Sequence, residues 1–139
     1  MAGWFFRRLG GFEVARDGTD RKALRDSITM LQSGDVLLVY PEGTRQNGAK
    51  IAPLQPGAAY LALRAGVPVV PVGLAGTEEI LCGHGVKFPR FGRVVMVVGD
   101  PITTPARESG VVPRDQVDAL TARLHDALQD VFDRANELR

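Results

Sequence analysis

The residues best suited to chemistry lie in one polar loop, Tyr40-Pro41-Glu42-Gly43-Thr44-Arg45-Gln46-Asn47-Gly48. The loop follows a short apolar run, and in open α/β sheets ligands bind beyond the carboxyl ends of strands. Gly43 lets a ligand approach the main chain closely. The Arg45 guanidinium can donate two parallel hydrogen bonds to a phosphate. The loop is therefore either an anion-binding site or a solvated turn closed by a Glu–Arg pair.

The same loop contains the spacing of a nucleotide-binding P-loop, but the rest of that motif is missing. Gly43 and Gly48 are separated as in G-x-x-x-x-G, which requires Lys and then Ser or Thr directly after the second glycine. Here Lys50 comes one residue late and no hydroxyl follows it. Pro53 and Pro56 also interrupt the helix that the motif needs. These departures exclude a P-loop nucleotide triphosphatase.

The remaining candidates for catalysis or metal binding are weak. His125 and Asp130 have H-x-x-x-x-D spacing, but five residues on a helix place them about 140° apart, so they do not face each other. We expect His125 to be an exposed helix residue. Cys82 and His84 have no second Cys/His cluster to complete a metal site. We expect their loop to line the rim of the site, and we predict no metal.

The elements that must position the loop alternate in type. We predict strands over 36–40, 67–74 and 93–98, because these runs are short, apolar and rich in β-branched residues. A helix over 58–64 separates the first two strands, and a strand–helix–strand unit implies parallel pairing through a right-handed crossover. The predicted fold is therefore α/β, with a mixed, largely parallel sheet flanked by helices.

Two further helices are predicted, over 20–33 and 114–138. Thr19 or Asp20 can cap the first, and Gly34 stands where a left-handed residue ends a helix. The second carries one apolar stripe at helical spacing, which is typical of a helix packed on a core. The stripe consists of Val117, Leu120, Leu124, Leu128, Val131, Ala135 and Leu138.

Composition limits the class of protein. The 139 residues are 45% apolar and 24% charged, which suits a single domain over 1–139 with a real core. The net charge is only +1, so we expect no nucleic-acid partner. No apolar run is long enough to span a bilayer. No secretory signal is recognisable, and one cysteine excludes a disulfide framework and fits a reducing, cytoplasmic setting.

An aromatic cluster lies near the start of the sequence. Trp4, Phe5 and Phe6 stand beside Arg7 and Arg8. Aromatic rings with neighbouring guanidinium groups suit a membrane interface that carries anionic lipid. The alternative is a segment that packs on the core and leaves its arginines solvated.

Four sequence elements, taken in order, resemble the glycerolipid acyltransferases, typified by the 1-acyl-sn-glycerol-3-phosphate acyltransferases. Residues 40–45 resemble the family's F-P-E-G-T-R motif, and 67–72 resemble its V-P-[IV]-[IV]-P-V block. Residues 57–62 are similar to its G-x-x-x-L-A helix. Residues 11–16 are similar to its G-x-x-x-[DR]-R element, with Ala15 where a polar residue is common. The resemblance covers residues 3 to about 77.

The resemblance implies a fold like that of glycerol-3-phosphate acyltransferase. It implies transfer of an acyl group from acyl-CoA or acyl-carrier protein to lysophosphatidic acid, which gives phosphatidic acid in phospholipid synthesis. By resemblance, Arg45 and Arg16 bind the acceptor's phosphate, and Glu42, Gly43 and Thr44 shape its glycerol site. The thioester donor is already reactive, so no cofactor is expected. The family also implies a peripheral enzyme on the inner face of the membrane.

One family element has no counterpart here. The catalytic H-x-x-x-x-D motif of the family lies N-terminal to all four matched elements, before Met1 of this sequence. We therefore assign no catalytic residue and expect the N-terminal part of the domain to be missing. The alternative is a non-catalytic, lipid-phosphate-binding fragment that lacks the base.

Overall fold

The computed structural model describes residues 21–44, 46, 48–80, 91–105 and 111–139. The helices and strands are, in chain order, α1 Arg21–Gln32, α2 Gly57–Ala65, β1 Val72–Ala75, α3 Thr77–Ile80, β2 Val95–Val98 and α4 Arg114–Glu137. The chain forms two compact units, Met1–Leu38 and Val39–Arg139.

Helix α1 belongs to the first unit and confirms the helix predicted over 20–33. Ala23 and Ser27 are its buried residues, and the Ser27 hydroxyl donates to the Ala23 carbonyl at 2.8 Å. Gly34 follows the helix with a φ of 92°, so it takes the left-handed conformation that its position predicted. The proposed capping residues Thr19 and Asp20 lie outside the described residues.

Strands β1 and β2 of the second unit form an antiparallel pair, with Val72 opposite Val98 and Ala75 opposite Val95. The strand predicted over 67–74 is confirmed only at its end. Pro68 and Pro71 explain the shortening, because proline has no N–H to donate to a strand ladder. Before β1, pairing is limited to an isolated bridge between residues 69 and 102.

The strand predicted over 36–40 is wrong for the described structure. Residues 36–40 form no strand, and Val36 is 93% exposed. A strand buried on both faces needs neighbours that satisfy its N–H and C=O groups, and no strand in the described ranges pairs with this run. The only sheet in these ranges is antiparallel, so the predicted largely parallel sheet is not confirmed.

Helix α4 organises the core of the second unit. Its N-terminal half packs against α2, and its C-terminal half packs against β1 and β2. Leu128 contacts both apolar clusters. The predicted stripe is thus confirmed, except that Leu138 is exposed because the helix ends at Glu137. The buried core consists of Ala59, Ala62, Leu63, Ala75, Val97, Ile102, Val112, Val117, Leu120, Leu124, Val131 and Ala135.

Charged groups fasten the end of α4 to the short helix α3. The Arg139 guanidinium bonds to Glu78 at 2.9 Å and also to Glu79. The hydrogen bond that Arg139 donates to the Glu79 carboxylate raises the pKa of Arg139. The Arg93 guanidinium donates to the main-chain oxygens of Leu138 and Arg139 at 3.0 and 3.1 Å. These contacts fix the end of α4 beside the sheet.

Glycine allows α4 to approach β1 unusually closely. A Cβ on Gly73 would lie 2.6 Å from the main-chain carbonyl of Val131. Val131 itself is only 1% exposed. Because backbone rather than a flexible side chain fills this space, the position of α4 depends on Gly73 having no side chain.

We expect Gly73→Ala to lower the free energy of unfolding by about 2 kcal/mol or more, because the added methyl must push α4 away from the sheet. Gly57→Ala is the matched control. No atom lies within 4 Å of a Cβ there, and alanine is favoured over glycine in a helix by up to about 1 kcal/mol. Urea unfolding measures both changes. A Gly73→Ala protein with the wild-type midpoint would contradict the close packing.

Candidate functional site

The polar loop runs from Tyr40 to the start of α2. Its outgoing arm is residues 40–44 and its returning arm is residues 48–55, and a main-chain hydrogen bond joins the two arms next to α2. The Gly43 N–H donates to the Tyr40 carbonyl at 3.1 Å, and the Gln55 N–H donates to the Pro41 carbonyl at 2.8 Å. Gly43 has a φ of 72°, which lies in the left-handed region where residues other than glycine are strained. Gly43 is therefore required by the turn itself.

The Glu42 side chain makes a hydrogen bond across the loop. Its carboxylate Oε2 accepts a hydrogen bond from the Ala52 N–H at 2.9 Å, and the residue is half-buried. A carboxylate that accepts from a main-chain N–H makes one of the stronger hydrogen bonds in proteins. Glu42 therefore joins the outgoing arm of the loop to the returning arm.

The exposed turn carries the next candidates. Gly43 and Thr44 are both exposed, and the Thr44 hydroxyl accepts a hydrogen bond from the Gln46 side-chain amide at 2.9 Å. The structure thus brings together Glu42, Gly43 and Thr44 of the predicted acceptor site. Arg45 and Arg16 lie outside the described residues, and their phosphate-binding role stays a prediction.

Two side chains of α4 hold the returning arm, and sequence reasoning missed both. The Gln129 side chain accepts from the Ile51 N–H at 2.9 Å and donates to the Ala49 carbonyl at 3.3 Å. His125 lies 3.2 Å from the Ile51 carbonyl, and its Nε2 must be the donor because a carbonyl only accepts.

The interpretation of His125 as an exposed residue is therefore wrong. Its side chain is 36% exposed and is partly covered by the loop. The available signal was the spacing of His125 and Gln129, which places two polar side chains on the same helix face one turn apart. Nothing in the sequence, however, indicated the loop as their partner.

Within the described ranges, no group of three or more His, Cys, Asp or Glu side chains is arranged to hold a metal ion. Cys82 and His84 lie outside those ranges. None of the described helices is long and apolar enough to cross a membrane.

Comparison with known families decides the relationship. A family model described as Acyltransferase matches residues 1–75, which is more than half of the chain. The chain belongs to the acyltransferase family. The match includes the loop motif at 40–45 and the proline-rich block at 67–72, so it confirms the resemblance drawn from those motifs.

Relatives within the acyltransferase family carry one activity in their names. The chain is 32% identical over 121 residues to 1-acyl-sn-glycerol-3-phosphate acyltransferase alpha of Ovis aries, covering 81% of this chain and 40% of that protein. It is 22% identical over 136 residues to 1-acyl-sn-glycerol-3-phosphate acyltransferase of Bacillus subtilis, covering 98% and 64% respectively. The chain thus spans between 40% and 64% of the length of these two relatives.

A solved acyltransferase shares the fold. The crystal structure of the 1-acyl-sn-glycerophosphate (LPA) acyltransferase PlsC from Thermotoga maritima superposes with a TM-score of 0.65 at 24% identity. The superposition covers 99% of this chain and 51% of that one. The predicted acyltransferase-like α/β fold is therefore confirmed in outline.

We expect Glu42→Leu to lower the free energy of unfolding by about 1–3 kcal/mol, because the Ala52 N–H would lose its acceptor in a half-buried position. Glu42→Gln is the matched control, since its amide oxygen can still accept that hydrogen bond. Urea unfolding of the two variants measures the difference. Equal losses from both substitutions would show that the carboxylate does not close the loop through Ala52.

Proposed function

We propose that this chain is the acceptor-binding part of a 1-acyl-sn-glycerol-3-phosphate acyltransferase. The whole protein would transfer an acyl group from acyl-CoA or acyl-carrier protein to the 2-hydroxyl of lysophosphatidic acid and release phosphatidic acid. Residues 1–139 would form part of one acyltransferase domain. The observation that carries the proposal is the loop at 40–56, which is closed by Glu42 and presents Gly43 and Thr44 to solvent within the family motif.

The family resemblance suggests how a phosphate would be bound. By that resemblance we assign the phosphate to the guanidinium groups of Arg45 and Arg16, which suit the oxygens of a phosphate. The N–H groups of Gly43 and Ala52 already donate within the loop, to the Tyr40 carbonyl and to Glu42. Gly43 and Thr44 would line the neighbouring glycerol site.

The proton-transfer step would need a base from another part of the protein. Direct attack of the acceptor hydroxyl on a thioester requires a general base, which in this family is a histidine oriented by an aspartate. His125 does not suit this role, since its Nε2 donates to the Ile51 carbonyl. By the order of motifs in the family, we propose that the base comes from a segment of the whole protein N-terminal to the four matched elements. No cofactor or metal is needed for this transfer.

The setting we propose is the cytoplasmic, inner face of the membrane, where both the lipid acceptor and a soluble acyl donor are available. The Trp4–Phe6 cluster beside Arg7 and Arg8 suits that interface. The balanced net charge of +1 argues against a nucleic-acid partner.

The proposal predicts phosphate-dependent lipid binding. The purified chain should bind monomeric 1-hexanoyl lysophosphatidic acid in calorimetry, and should bind the matching monoacylglycerol far more weakly. Arg45→Ala should raise the dissociation constant about tenfold or more, because a charge-assisted hydrogen bond contributes about 1.5–3 kcal/mol. Arg123→Ala, an exposed arginine on α4, is the control and should bind as the wild type does.

The phosphate site would be contradicted if the chain bound both lipids equally well. It would also be contradicted if Arg45→Ala bound lysophosphatidic acid as tightly as the wild type does. Addition of acyl-CoA to the same samples should give no turnover, and clear turnover would contradict the placement of the base. A non-catalytic lipid-phosphate-binding fragment would give the same binding result. The in-frame sequence before Met1 separates the two functions, because a histidine and aspartate in H-x-x-x-x-D spacing there favours the enzyme.

A further inference from the structure

In the returning arm of the loop, main-chain N–H and C=O groups of residues 49–52 hydrogen-bond to side chains and not to a neighbouring strand. The Ala49 carbonyl and the Ile51 N–H bond to Gln129, the Ile51 carbonyl bonds to His125, and the Ala52 N–H bonds to Glu42. Residues 48–55 belong to no strand or helix. The conformation of this arm therefore depends on these side-chain contacts.

The side chain of Gln129 replaces a neighbouring strand at this point. In a parallel ladder, one residue donates to the carbonyl before its partner and accepts from the N–H after it. The primary amide of Gln129 makes the same two bonds around Lys50, at 3.3 Å to Ala49 and 2.9 Å to Ile51. One side chain thus fixes both the position and the direction of the arm.

The orientation of the Gln129 amide is itself fixed. Its Nε2 also donates to the Asp133 carboxylate at 2.8 Å, one turn further along α4. A carboxylate only accepts, so it holds the amide nitrogen on its own side and leaves the oxygen for Ile51. Gln129 lies two residues before Val131, which is locked against Gly73 of β1. The anchor is therefore attached to the most closely packed part of the helix.

We propose that Gln129 is a positioning residue for the acceptor site. It holds the returning arm at 49–51. Ala52, next in the chain, bonds to Glu42, so the position of the arm also sets the position of Gly43 and Thr44, which follow Glu42. The inference rests on the proposed function, since the ligand whose affinity it controls is a glycerol phosphate lipid. Gln129 does not touch that ligand and acts only through the loop.

Amide hydrogen exchange of the full 139-residue chain, followed by NMR, tests the anchor without any ligand. Gln129→Met keeps the length of the side chain and removes its two hydrogen bonds to the arm, together with the one to Asp133. Exchange at Ile51 should accelerate about fivefold or more, because a hydrogen bond contributes about 1 kcal/mol net. Exchange at Ala62, buried in α2, should not change. Arg123→Met, exposed on the same helix, is the control and should leave both amides unchanged.

The dissociation constant of 1-hexanoyl lysophosphatidic acid tests the positioning role in the same proteins. Gln129→Met should raise it about threefold or more. Gln129→Glu keeps an oxygen for the Ile51 N–H but places a second carboxylate beside that of Asp133. The double variant Gln129→Glu with Asp133→Asn restores a donor to that carboxylate, so it should recover part of the protection and part of the affinity.

The outcomes separate the inference from the proposed function. Wild-type exchange at Ile51 in Gln129→Met overturns the anchor, and faster exchange with unchanged lipid affinity overturns the positioning role. A wild-type chain that does not bind the lipid overturns the proposed function, and exchange at Ile51 then decides the anchor alone. If Ala62 also loses protection, Gln129→Met has lost global stability, and the double variant Gln129→Glu with Asp133→Asn decides in its place.

Discussion

The contact of Val131 with Gly73 is the packing constraint on which the rest of the second unit depends. It sets α4 against β1 at a distance that only a glycine allows. With α4 fixed there, its N-terminal half packs against α2, and Gln129 and His125 reach the loop that precedes α2. Residues 48–55 of the loop belong to no helix or strand, and side chains of α4 and Glu42 supply partners for their main-chain groups. Helix α4 thus connects the packed core of the second unit to the loop that carries the family motif.

Local patterns in the sequence predicted the helices well. Helices α1, α2 and α4 each begin and end within one residue of the expected positions, because apolar spacing and, for α1 and α2, the glycine after the helix are local signals. The strands were predicted less well, because a strand needs a partner. Residues 36–40 are apolar and β-rich, yet they pair with no described strand. The prolines at 68 and 71 shortened β1 for the same reason, since they remove ladder donors.

The sequence predicted the family of the loop motif but not the contacts that hold the loop. The motif led to a family that the full comparison confirms, whereas the acceptor-site roles of Glu42, Gly43 and Thr44 stay predictions. What the structure shows for Glu42 is that its carboxylate accepts a hydrogen bond from the Ala52 N–H across the loop. Gln129 could not be predicted, because it contacts the loop across 78 residues of sequence and no local pattern encodes such a contact.

We propose that the phosphate of a lysophospholipid binds to the loop at 40–56, which Glu42 and α4 hold. Titration of the ¹⁵N-labelled chain with 1-hexanoyl lysophosphatidic acid tests this binding site residue by residue. We expect the largest amide shift changes at Gly43, Thr44 and Arg45, with smaller ones at Ile51 and Ala52. Saturable shifts confined to the exposed face of β2, at Met96 and Val98, with an unchanged loop would contradict it.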